Sequence, residues 1–105
     1  MANSAPKLPK SITILGTPTA VKLSKSLPES PDENRDTLGL ADLLDHIIHV
    51  HKDISAPAKR RIMLHEIWHH ASWRNGISQS IPPELEEVMC QTFAYLYDEL
   101  KRQGI

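Results

Sequence analysis

The sequence predicts an α+β domain: a small, mostly antiparallel sheet of about three strands followed by two packed helices. Three observations predict it. Short β-branched segments with turn residues between them occupy the first half. Two long stretches bounded by helix-start and helix-stop residues fill the second. With 105 residues the chain is long enough for one domain and too short for two.

Residues 1–10 carry two prolines and small polar residues and read as a loose lead-in to a single domain over 11–105. Ser11-Ile12-Thr13-Ile14-Leu15 reads as a strand, Gly16-Thr17-Pro18 as punctuation, and residues 19–24 as a second strand completing a hairpin. Residues 25–37 hold two prolines and several acids with no apolar period, which predicts an exposed loop. The apolar, β-branched run over 46–51 predicts a third strand. Its alternation puts His46, Ile48 and Val50 on one face and Ile47, His49 and His51 on the other. Leu40, Leu43, Leu44 and Ile47 also fit a helical stripe, so residues 40–50 have a second, helical reading.

Ser55 as a cap and Pro57 in the first turn predict a helix over about 56–73, stopped at Asn75-Gly76. Leu64, Ile67, Trp68 and Ala71 form its apolar stripe, with His65, Glu66, His69 and Trp73 beside it. Pro82-Pro83-Glu84 opens the second helix, which runs to about residue 102. Leu85, Val88, Met89, Thr92, Phe93, Leu96 and Leu100 are its expected packing face.

Bulk composition narrows the function. Twelve basic and thirteen acidic residues leave a net charge of −1, which gives no whole-chain case for nucleic acid or an anionic membrane. No apolar run approaches the ~20 residues that span a bilayer. The first ten residues hold no signal-peptide core, and the single Cys90 cannot form an internal disulfide. Both fit a cytoplasmic protein. All six histidines fall between His46 and His70, a concentration that suggests a site.

Its centre is His65-Glu66-x-x-His69, the H-E-x-x-H pattern of zinc peptidases. Helical positions four apart lie roughly 40° from each other around the axis, so two imidazoles share one face and can share one ion. Glu66 is placed to act as general base toward a metal-bound water. A catalytic site needs a third protein ligand. The second helix offers Glu84, Glu86 and Glu87. Glu84 lies in the first turn, where solvent is expected. Glu86 and Glu87 are about 100° apart, so at most one faces the ion. Spacing does not fix the metal's identity.

Leu64-His65-Glu66-Ile67-Trp68-His69, with Glu87-Val88-Met89-Cys90-Gln91-Thr92-Phe93-Ala94 downstream, resembles the ImmA/IrrE-type metallopeptidases of phages, mobile elements and bacteria, which show H-E-x-x-H and then E-x-x-A-N-x-F-A. The order of the upstream segments is similar to the short phage-encoded members, and the resemblance spans roughly residues 11–100. It implies a minimal zincin-like core and Zn²⁺ held by His65, His69 and Glu87, with Glu86 as the alternative third ligand. It further implies Glu66 as catalytic base and a protein or peptide substrate such as a regulator. Cys90-Gln91 stands where Ala-Asn is common, and Trp68-His69-His70 is bulkier than the usual Gly-His within the motif. His49, His51, Tyr95 and Tyr97 are candidates to stabilise an oxyanion. His70 is expected to be packed or to support the ligands, and Cys90 to be a small buried residue. A second reading keeps the zinc but makes the chain a non-proteolytic interaction module, its coordination closed by His49, His51 or Cys90. A third, a nucleic-acid-binding accessory protein, is opposed by the near-neutral charge.

Overall fold

The computed structural model describes residues 7–25 and 38–105. Four strands, β1 (Ser11–Ile14), β2 (Thr17–Ser24), β3 (Gly39–Asp42) and β4 (Ile47–His51), precede two helices, α1 (Ala56–Arg74) and α2 (Pro83–Arg102). The α+β class is as expected, with one strand more. The sheet order is β1-β2-β4-β3, antiparallel at its two outer pairings and parallel where β2 meets β4.

The extra strand comes from the segment with two readings. Residues 40–50 form neither a helix nor one strand, but β3, a turn and β4. Asp42 accepts the Asp45 amide through Oδ1 at 3.1 Å, a local turn bond that competes with helix. His46 takes a positive φ of 56° in that turn and so leaves the strand assigned to it. Leu15 likewise belongs to a turn. With Gly16 it makes a two-residue hairpin loop at φ values of 47° and 86°, a geometry whose twist matches the flanking strands. Arg74, at the end of α1, donates to the Ile14 carbonyl at 3.3 Å and ties that hairpin to the helix. The expected lead-in over 1–10 and loop over 25–37 lie mostly outside the described residues. Of the lead-in, Leu8 packs against the core, and the Lys10 carbonyl accepts the Val21 amide at 2.9 Å.

The core lies between the sheet and α1. Ile14, Val21, Ile48 and Val50 meet Met63, with Ile62, Ile67 and Ala71 packed around them. Ser55 caps α1, its Oγ accepting the Ala58 amide at 3.2 Å, and Gly76 closes it at a φ of 90°. The expected apolar stripe of α1 divides: Ile67 and Ala71 serve the sheet, whereas Trp68 stacks on Phe93 of α2 with ring centroids 4.6 Å apart.

Helix α2 packs on α1, making a third layer. Its expected packing face is corrected. Met89, Phe93 and Leu100 are half-buried as that face requires, but Leu85, Val88, Thr92 and Leu96 are exposed, and the residues buried along α2 are Cys90, Ala94 and Asp98. Asp98 is held from both sides, by Arg60 at 2.8 Å and Arg102 at 3.2 Å. The Arg60 hydrogen bond, first among the causes, keeps its carboxyl below the usual carboxylate range.

Candidate metal centre

Helix α1 presents His65 and His69 from successive turns, and their Nε2 atoms come within 3.2 Å of each other. Glu87, in the second turn of α2, closes the third side. Its Oε1 lies 3.1 Å from His65 Nε2 and its Oε2 2.8 Å from His69 Nε2. Two donors at about 2.05 Å from one ion, at a tetrahedral angle, stand roughly 3.3 Å apart. The spacing of the three donors is therefore that of a tetrahedral divalent site, and two imidazoles with a carboxylate suit zinc chemistry.

The far nitrogens are also held. His69 Nδ1 lies 2.7 Å from Glu86 Oε2, and His65 Nδ1 lies 3.0 Å from Gln91 Oε1. With Nδ1–H donating to these oxygens, each Nε2 lone pair turns toward Glu87, the tautomer a metal ligand needs. Burial, then the neighbouring His69, lowers the proton affinity of His65 below its ordinary value of 6.5, outweighing Glu87. A neutral ring is the ligating form.

Glu86 and Glu87 thus divide the work as their 100° separation requires. Glu87, with a side chain 61% exposed, faces the Nε2 atoms, and the partly buried side chain of Glu86 supports His69 from behind. Gln91 is the residue sequence reasoning missed. It lies one turn beyond Glu87 and so shares its face, a spacing that could have revealed it.

Glu66 is buried and turned toward β3. The approach there is so close that a Cβ on Gly39 would collide with the Ile62 Cγ2 methyl and come within 3.0 Å of Glu66 Oε2. Only glycine lets the edge strand lie this near the helix. Cys90 is fully buried nearby. Donor atoms of His65, His69 and Cys90 all lie within 4.8 Å of one another, a second conceivable ligand set. Glu87 reaches both Nε2 atoms within 3.1 Å, and burial, reinforced by Glu86, Glu87 and Glu66, pushes the Cys90 thiol up in the metal-free chain.

The other candidates lie elsewhere. The register Val21↔Ile48 and Gly39↔Val50 assigns those residues to the α1 side, so His49 and His51, alternating with them, occupy the opposite sheet face. His49 is buried with no hydrogen-bond partner at either ring nitrogen, and His51 Nδ1 accepts the Asp53 amide at 3.1 Å. Tyr95 lies under the Arg61 guanidinium, and Tyr97 stacks on Phe93. His70 is buried and reaches the Ile47 carbonyl at 3.3 Å, pinning α1 to β4.

No family model, curated protein or solved structure compared with this chain matches it. Among the described residues, no helix is long and apolar enough to cross a membrane.

Proposed function

We propose that this chain is a zinc-dependent endopeptidase of the ImmA/IrrE type, phage or mobile-element encoded, that acts in the cytoplasm on a protein partner such as a regulator. The supporting observation is the convergence of His65 Nε2, His69 Nε2 and Glu87 at separations of 2.8–3.2 Å. His65, His69 and Glu87 would hold the ion. Bound zinc would polarise the attacking water and the scissile carbonyl. Glu66 would take the proton from that water and return it to the leaving amine. Its burial beside Gly39 fixes the carboxylate against the helix. Among the described residues strand β3 is an edge of the sheet, where an extended peptide could pair close to Glu66.

One observation favours a second reading. If Cys90 joins His65, His69 and Glu87 as a fourth ligand, no position is left for water, and the chain is a zinc-binding interaction module. Two measurements separate the readings. Glu66→Gln should retain one equivalent of zinc and lose peptide cleavage by roughly 10²–10⁴-fold, the usual contribution of a general base. Cobalt-substituted protein should lack a thiolate charge-transfer band. A strong thiolate band, with no cleavage of any unstructured protein by wild type, would overturn the peptidase reading.

A further inference from the structure

We propose that the groove at the open end of β2 is a docking site for an extended acidic peptide segment, which pairs with Leu23 as an added strand. The inference is independent of the metal site.

Strand β2 outruns its outer neighbour. Residues 17–20 pair with β1, whereas pairing with β4 continues as far as Ser24. Backbone groups alternate between the two sides of a strand. The Ala20 amide donates to the His46 carbonyl and the Ser24 carbonyl accepts the Lys52 amide, both on the β4 side. The Val21 amide turns the other way, to the Lys10 carbonyl. Leu23 has the parity of Val21, so its N–H and C=O face the side that β1 no longer covers. Among the described residues they have no backbone partner there. Such an edge is a template for a further strand.

The groove beside that edge has a volume of about 850 Å³, within the range of roughly 300–1,000 Å³ that ligand sites occupy. Leu8, Val21, Leu23 and Ala56 give it an apolar lining, and Leu23 is 47% exposed. An added strand would cover that leucine while its backbone satisfies the open pair.

Charge selects the occupant. Lys7 and Lys10 of the lead-in, Lys22 of β2 and Lys59 of α1 line the groove, and no acidic residue does. None of the four is in an ion pair with a described residue. In a chain of net charge −1 this is a local excess of positive charge. Lysine on an edge strand often serves only to keep other strands away, and Lys22 alone would do that. The other three arrive from outside the strand and gather at its open end. They repel a second copy of the same edge and attract a strand that carries carboxylates. The lining holds no arginine and no aromatic ring, so it lacks the platforms on which single-stranded nucleic acid stacks. In the sheet order β1-β2-β4-β3 the groove and β3 lie on opposite sides, so an occupant leaves the approach to Glu66 open.

The test is fluorescence anisotropy of a short capped peptide of alternating valine and glutamate, titrated with the full chain at low salt. The peptide should bind, and its valine–lysine counterpart should not. Lys22→Glu combined with Lys59→Glu should weaken the acidic peptide by roughly tenfold or more and make the basic peptide bind, an exchange that a misfolded variant would not produce. Lys101→Glu, at the far end of α2, should change neither. Methylating the peptide's backbone nitrogens should also cost roughly tenfold, because strand pairing needs those donors. Changing Glu29, Asp32, Glu33 and Asp36 to serine should leave the affinity within about twofold, since a separate chain supplies the carboxylates. Five results would each overturn the proposal: an acidic peptide that does not bind, equal weakening by Lys101→Glu, unchanged binding of the methylated peptide, tighter binding of a thymidine oligonucleotide than of the peptide, or a gain of roughly tenfold in the four-serine variant, which would assign the groove to the chain's own acidic segment.

Discussion

Helix α1 and helix α2 are nearly the same length and solve opposite problems. Helix α1 lies between two layers, the sheet on one side and α2 on the other, so it must bury residues around most of its circumference. Glu66, His70 and Ser72 are among those it buries, beside Met63 and Leu64. Among the described residues, helix α2 packs chiefly on α1. It is the more clearly amphipathic of the two, yet the side it buries holds Cys90, Ala94 and Asp98. An apolar stripe records which face gains most from leaving water, but the site's chemistry can claim the inner face instead. In α2 the carboxylates and amide that meet the histidines need that face, and the apolar row is displaced to the outside.

Three substitutions can break or sharpen this contrast. Met63→Ala strikes α1 where it meets the sheet and should cost about 2–5 kcal/mol in a urea titration, through lost burial and the cavity left behind. A loss below 1 kcal/mol would mean that α1 is not the middle layer. On α2, Glu86→Gln removes the charge behind His69 and should weaken zinc affinity roughly 10–100-fold in a chelator competition, while the urea midpoint of the apoprotein changes little. Equal affinity in the two proteins would assign the inner face of α2 to packing alone. The smallest effect belongs to the outer row. Val88→Ala should fall within about 0.5 kcal/mol of wild type. A cost like that of Met63→Ala would put the apolar row back in the core.

What could be read from the sequence was local. Ser55 and Gly76 mark the ends of α1 because a cap and a left-handed residue act within one turn. His65 and His69 share a face because 3.6 residues per turn requires it. Residues 11–24 read as a hairpin because alternation and turn residues are short-range signals. The fourth strand was less legible: residues 40–50 satisfied helix and strand periods at once, and pairing with β4 decided between them.

The sequence alone determined two helices, one capped by Ser55 and one opened by Pro82-Pro83, a β-rich first half and a pair of imidazoles one turn apart, since each depends on neighbours within a few residues. Only the tertiary structure decided that β2 runs parallel to β4, that Glu87 meets the Nε2 atoms while Glu86 and Gln91 hold the Nδ1 atoms, and that α2 turns its apolar row outward. Those outcomes depend on how α2 is rotated and placed against α1. That choice balances apolar burial against polar pairing between residues as far as 38 positions apart, as in the bond from Arg60 to Asp98.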